Sequence, residues 1–261
     1  MVPEIEVQQM PYASFVAFIG QENSPPGSEH TLRAWIEHGG IDLRSHVLDL
    51  ACSTGWNSRW IAELVGCTGA GIDVSTAAIE RAQSELRRTS KSAALKYVVA
   101  DAAALPFGDE EFTHVLAGCT LSFIQNRAGA LRECGRVLGQ HGALCVANFY
   151  YYRRPTLALL DNVERVVGFR PRASWNARFW ESLISQVFTL EWEAHSDLPV
   201  YPDSEVAAVA REAILNSDVM REYAPQVREA CFHRLLDTRL VLNRHRSVQR
   251  VAVQVWRKRS K

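Results

Sequence analysis

The chain carries no net charge: 29 Lys and Arg offset 29 Asp and Glu over 261 residues. No global field draws it to nucleic acid or to an anionic membrane, and neither is expected as a partner. Long hydrophobic runs are also missing. The apolar stretch nearest the start, residues 15–20, is too short to span a bilayer and follows Glu4 and Glu6, not a basic leader. Cysteine pairs are missing as well. The six cysteines, at positions 52, 67, 119, 134, 145 and 231, never form a Cys-x-x-Cys arrangement and stand singly inside apparent strands and helices. That excludes a disulfide frame and a zinc site and leaves reduced thiols in a core. A cytoplasmic protein with no bound metal is expected, and there is no internal repeat or low-complexity segment.

What is present is an ordinary globular composition, 47% hydrophobic and 22% charged, enough for one α/β domain with an added cap. Strand-like and helix-like segments alternate. Strands are expected at 46–51, 68–73, 95–100, 112–118 and 142–149, with helices at 57–65, where Trp60, Ile61 and Leu64 share a face, and at 76–88, where Ile79, Ala82 and Leu86 do. Ser75 and Asn126 stand where N-caps belong. Arg153-Arg154-Pro155 then interrupts the chain, a helical pattern runs through 175–187, and strands follow at 188–195 and 247–256, the latter with Val251, Val253 and Val255 alternating with Ala252 and Gln254. The expected fold is a Rossmann-like, seven-stranded, mostly parallel sheet with helices on both faces. Two additions complete it. Residues 1–40, broken by Ser24-Pro25-Pro26-Gly27, read as an N-terminal lid or cap before a domain spanning 41–261; residues 203–245 read as a helical insertion that caps the substrate.

The most informative stretch is Val47-Leu48-Asp49-Leu50-Ala51-Cys52-Ser53-Thr54-Gly55, followed by Gly71-Ile72-Asp73. It reads as a buried strand, a tight turn and a helix N-terminus, a cradle for a nucleotide-like ligand. A dinucleotide fingerprint would place glycine at 51, 53 and 56; the chain has Ala51, Ser53 and Trp56, which disfavours nicotinamide and flavin dinucleotides. Asp49-x-Ala51-x-Ser53-x-Gly55 instead resembles the first motif of class I S-adenosylmethionine-dependent methyltransferases, an acid followed by small residues at every second position, with Ala51 and Ser53 where that family usually has glycine. Further pieces fall in register. Asp73, with Val74 after it, resembles the family's acid that accepts from both ribose hydroxyls. Asp101-Ala102, followed by Leu105-Pro106-Phe107, resembles its adenine-edge motif, and Cys119 to Ser122 stand where the family lines the sulfonium. Leu131-Arg132-Glu133, Arg136-Val137-Leu138 and His141-Gly142 extend the resemblance, which covers roughly residues 40–150.

The resemblance implies S-adenosyl-L-methionine as cofactor and methyl transfer as the reaction. An activated sulfonium needs in-line positioning more than a catalytic motif. The fourth strand lacks an Asn-Pro-Pro-aromatic ending, and zero net charge offers no phosphate-binding surface, so the expected acceptor is a small, partly apolar molecule, of the kind made in secondary metabolism. Tyr12, His30, Asn148 and Tyr152 are the candidates for substrate contact or proton removal. The run Phe149-Tyr150-Tyr151-Tyr152-Arg153-Arg154 leaves the fifth strand beside the cofactor mouth, where aromatic faces would attract a sulfonium. His114 and His141 read as surface or turn residues. Two alternatives stay open. Crowding by Ala51 and Ser53 could bend the methionine arm, giving aminocarboxypropyl transfer or cyclisation to azetidine-2-carboxylate with release of methylthioadenosine. A non-catalytic nucleoside-binding subunit is the other, though such a subunit has no reason to keep both Asp73 and Asp101.

Overall fold

The computed structural model describes residues 4–89 and 94–259. Seven strands form one sheet: β1 (His46–Leu50), β2 (Thr68–Asp73), β3 (Leu95–Val99), β4 (Phe112–Gly118), β5 (Leu138–Tyr151), β6 (Phe188–Asp197) and β7 (Gln249–Lys258). Their spatial order is β3-β2-β1-β4-β5-β7-β6. The first five pair in parallel and β7 runs antiparallel between β5 and β6, as a mostly parallel Rossmann-like sheet requires. Strand order reverses between β1 and β4, and a crevice at such a switch point, outside the carboxyl ends, is where open α/β sheets bind ligands.

Helices cover both faces. On one side α3 (Glu29–Gly39) and α4 (Trp56–Val65) bury Leu32, Trp35 and Ile61 against Val47, Leu116 and Cys145. On the other, α6 (Arg127–Val137) and α8 (Ala177–Ile184) bury Leu131, Cys134, Trp180 and Ile184 against Val115, Leu144 and Val146. Helix α5 (Thr76–Arg87) packs Ile79 and Ala82 on Tyr97 and Cys52. The N-caps are as expected: Ser75 Oγ accepts from the Ala78 N–H at 3.3 Å and Asn126 Oδ1 from that of Gly129 at 3.0 Å.

The segments flanking the sheet differ from the sequence reading in instructive ways. Residues 29–39 form α3, which with Leu32 and Trp35 fully buried is a layer of the sandwich. The remaining N-terminal helices, α1 (Glu4–Gln9) and α2 (Tyr12–Phe18), instead share a core with α9 (Asp203–Leu215) and α10 (Pro225–His245). Val7, Phe15 and Ile19 meet Ala210, Ile214, Phe232 and Leu235, so residues 4–19 and 203–245 share one hydrophobic cluster. Strand β5 extends from residue 138 to 151, beyond the expected 142–149. Helix α7 (Leu157–Val167) was not expected, although Leu160, Val163 and Val167 recur at helical spacing and Thr156 caps it, accepting from the Leu159 N–H at 3.3 Å.

Candidate functional site

The crevice is built from strained backbone. Ala51, Ser53 and Gly55 all adopt left-handed φ, at 51°, 50° and 74°, and Cys119 at the end of the adjacent β4 does so at 62°. A left-handed residue with a Cβ costs about 1–2 kcal/mol, so Ala51, Ser53 and Cys119 hold a conformation that glycine takes freely. Hydrogen bonds over-determine the turn: Cys52 N–H donates to Ile72 O at 2.7 Å, Ser53 N–H to Asp73 Oδ2 at 3.0 Å, Gly55 N–H to Cys52 O at 2.8 Å, and the Arg59 guanidinium to Thr54 O. Tyr97 forms the floor, its hydroxyl donating to Gly55 O at 3.0 Å and lying 3.1 Å from Ser58 Oγ. Sequence reasoning missed Tyr97 because an aromatic in a strand reads as plain core. Strain of this kind, held by its surroundings, is characteristic of ligand sites.

Asp49 serves the turn. It is fully buried, and its carboxylate accepts from Ser58 N–H at 3.2 Å, Ser58 Oγ–H at 2.9 Å and Asn57 Nδ2 at 3.5 Å, all in the first turns of α4. These bonds tie the end of β1 to the first turn of α4 and so position the turn. Burial pushes its pKa up from 3.8 to about 6 against the pull of these donors. A raised carboxyl pKa favours the protonated form in the fold, so its stabilising contribution is complete below about pH 4 and lost as pH rises through about 6. The stability of the wild type relative to Asp49→Asn is expected to drop by ~3 kcal/mol across that window. Urea midpoints at pH 4, 5, 6 and 7 check this, and a pH-independent difference would show an unshifted carboxyl.

The other acids of the sequence reading lie at successive strand ends. Asp73, 8% exposed, accepts from Ser53 N–H at Oδ2 and from Ser75 N–H at Oδ1, at 3.0 and 2.9 Å. The Val74 N–H adds a third donor, and the carboxylate's remaining lone-pair capacity can accept from a ligand hydroxyl. Val74 beside it is 70% exposed, an apolar surface left uncovered. Asp101 is exposed in the loop after β3 and accepts from the Ala103 N–H at 2.8 Å, while Ala102 is buried. Thr54 Oγ1 and Asn57 Oδ1 are buried with no partner among the described residues, so the turn holds unused polar capacity. A Cβ on Gly118 would meet Pro25 at 3.1 Å and Asn57 Nδ2 at 3.3 Å, which puts the Ser24-Pro25-Pro26-Gly27 loop across the end of β4. A nucleoside with a free ribose fits this cradle.

Beyond it, at the ends of β4 and β5, lies a second set of groups. Gly118 pairs with Ala147, and Cys119 N–H donates to Ala147 O at 2.6 Å, which brings Cys119 next to Asn148. Asn148 is 1% exposed, and neither its Oδ1 nor its Nδ2 has a partner among the described residues. An unpaired buried amide costs about 1–3 kcal/mol per group unless something binds it. Tyr12 closes the space from the cap, its ring stacked on Phe123 at 6.2 Å and packed with Phe169, Val163 and Val241. Burial, then Cys119, raises the Tyr12 phenol, and burial pushes the Cys119 thiol up to about 12. Both stay protonated, so Tyr12 suits substrate contact better than proton removal, and Cys119 lines the site as a thiol. Ser122 is partly buried and its carbonyl accepts from Arg127 at 2.8 Å, an arginine that also binds Leu121 O at 2.7 Å and so fixes the loop after β4.

Tyr152 and His30 lie apart from this set of groups. Tyr152 is 40% exposed, donates to Ser247 O at 2.9 Å, and its ring already faces the guanidiniums of Arg153 and Arg250 at 5.1 and 4.9 Å. It opens with Arg153 and Arg154 onto a groove of about 640 Å³. His30 is exposed on the first turn of α3 and makes no side-chain hydrogen bond to the crevice among the described residues. The rest of the aromatic run is spent on packing: Tyr150 and Tyr151 hydroxyls meet His195 Nδ1 at 3.0 Å and His245 Nε2 at 2.8 Å. His114 is buried, not at the surface, and bonds to Gly39 O at 3.0 Å. No three His, Cys, Asp or Glu side chains among the described residues gather as a metal site.

Residues 48–146 match a family described as a methyltransferase domain. A crystal structure of MccD protein shares 39% identity and superposes with a TM-score of 0.78, covering 91% of this chain and all of that one. The ubiquinone/menaquinone biosynthesis C-methyltransferase UbiE of Pseudomonas fluorescens (strain Pf0-1) is 32% identical over 147 residues, 55% of this chain and 56% of that protein's length. The fold alone is shared with the [4+2]-cyclase SpnF, at TM-score 0.69 and 19% identity, covering 90% of this chain and 82% of that one. The strained turn at β1, the acid ending β2 and this likeness over nearly the whole chain agree: the protein belongs to the class I S-adenosylmethionine-dependent methyltransferases and is a transferase using that cofactor.

Proposed function

We propose that the protein transfers a methyl group from S-adenosylmethionine to a small molecule held between Asn148, Tyr12 and Cys119 under the cap. Asp73 would take the ribose hydroxyls, Val74 and the Asp101-Ala102 loop the adenine, and the turn from Ala51 to Gly55 the methionine arm. The cofactor supplies an activated carbon electrophile; the chain's own residues supply position and exclude water. The observation that carries the reading is Asn148: a buried amide with both ends unpaired, beside the strained Cys119, has the character of a group waiting for a polar acceptor. A small acceptor, of secondary metabolism, suits so enclosed a place. Cytoplasmic location is supported by six free cysteines, five of them buried, and by the lack of any helix among the described residues long and apolar enough to cross a membrane.

The Cβ atoms at Ala51 and Ser53 favour a second reading, in which the aminocarboxypropyl arm is transferred or cyclised instead. Product analysis separates the two. Incubated with S-adenosylmethionine and extracts of candidate acceptors, a methyltransferase yields S-adenosylhomocysteine, and with the cofactor alone it releases almost nothing. Enzyme-dependent methylthioadenosine above the spontaneous background would replace methyl transfer by the second reading, and Ala51→Gly with Ser53→Gly would then suppress that product.

A further inference from the structure

Arg239 is a half-buried cation with no carboxylate paired to it among the described residues. It lies on α10 four residues after Leu235 and three before Leu242, so it falls in the helix's apolar stripe and not on its solvent face. Leu235 belongs to the core of the cap and Leu242 packs with Tyr12, Val163 and Val167, so the guanidinium sits where the cap meets the wall of the crevice. Its Nη1 is buried and unpartnered, and no carboxylate pairs with it among the described residues. Asp237, close by on the same helix, is committed to Arg165 at 2.9 Å. The titratable groups Arg239 faces are Tyr12 and, beyond it, Cys119, both protonated, and burial holds the guanidinium below its ordinary value. Taking part of a guanidinium out of water without a counter-charge is costly, and an apolar side chain in the same stripe would carry no such cost. Arginine's planar fork matches carboxylate and phosphate oxygens.

We propose that Arg239 binds a carboxylate or phosphate at the mouth of the crevice, carried either by the acceptor or by the methionine arm of the cofactor. This rests on the proposed cofactor site and assigns it an anionic group to hold. Calorimetry on the full chain compares wild type with Arg239→Met, using S-adenosylhomocysteine and methylthioadenosine, which share a nucleoside but not the carboxylate. Inorganic pyrophosphate and citrate are titrated with and without S-adenosylhomocysteine. A charge-assisted bidentate contact is worth about ten- to a hundredfold in affinity. If the anion is the cofactor's, Arg239→Met weakens S-adenosylhomocysteine by that factor and leaves methylthioadenosine unchanged. If it is the acceptor's, both nucleosides bind as before and the saturable binding of pyrophosphate or citrate is lost. Arg239→Lys should restore part of either effect. Binding of all four probes within twofold of wild type would overturn the proposal, as would an Arg239→Met melting midpoint well below wild type, which would make the residue structural. A wild type that binds neither nucleoside would sink the cofactor reading, and the pyrophosphate and citrate titrations would then decide Arg239 by themselves.

Discussion

Asp73→Ala is expected to raise the dissociation constant for S-adenosylhomocysteine by about a hundredfold or more. A ribose diol loses two hydrogen bonds to a carboxylate, each worth roughly 1.5–3 kcal/mol, and every 1.4 kcal/mol is about tenfold. The substitution also frees the N–H groups of Ser53 and Ser75, now held at 3.0 and 2.9 Å, so the turn that presents the methionine arm loses one of its ties. Asp73→Asn separates these effects: its single carbonyl oxygen can keep one partner, so affinity should fall between wild type and Asp73→Ala. Calorimetry measures binding, and circular dichroism confirms that the variants remain folded. An Asp73→Ala chain that is folded and binds normally would remove Asp73 from the ribose site.

The sheet and the cradle were legible because their signals are local. A buried strand ending in small residues, an acid at the end of the next strand and a capping serine after it each occupy a few consecutive positions, and their spacing alone orders them along a parallel sheet. What was not legible depended on partners far apart in the chain. That α1 and α2 join α9 and α10 follows only from the meeting of Phe15 with Phe232 and Leu235 across more than 200 residues. Asn148 could be named as a candidate from its place at the end of β5, but its meaning lies in two unpaired amide atoms that no pattern reveals. Tyr152 shows the same in reverse: its ring meets two arginines, one of them 98 residues away at Arg250, which no local pattern reveals. Asp49 could be named from its place at the end of β1, but its bonds to Ser58 and Asn57 could not, since the direction of its side chain is not readable in sequence.

The sharpest test of the cradle is Gly55→Ala, expected to destabilise the fold by about 3 kcal/mol and to abolish measurable cofactor binding. Two costs combine. At φ 74° an alanine Cβ is strained by about 1–2 kcal/mol, partly offset by about 0.4–1 kcal/mol from the stiffer unfolded chain. That same Cβ would lie 2.5 Å from Tyr97 Cζ and 2.6 Å from its hydroxyl oxygen, against a ring that packs closely on Gly71 and clusters with Cys52. Overpacking of this sort costs about 1–3 kcal/mol more. For a chain of this size the melting midpoint should fall by about 5–12 °C. Relief by Tyr97→Leu identifies the cause: it removes the ring that the new methyl strikes, so the double variant should be about 1–2 kcal/mol more stable than the sum of the two single losses. Cofactor binding should return only in part, because Tyr97 also holds Gly55 O and Ser58 Oγ, at 3.0 and 3.1 Å, and with them the first turn of α4. Strict additivity of the two losses would show that the turn has room to shift away from Tyr97, and would detach the strained backbone at Gly55 from the binding of the cofactor.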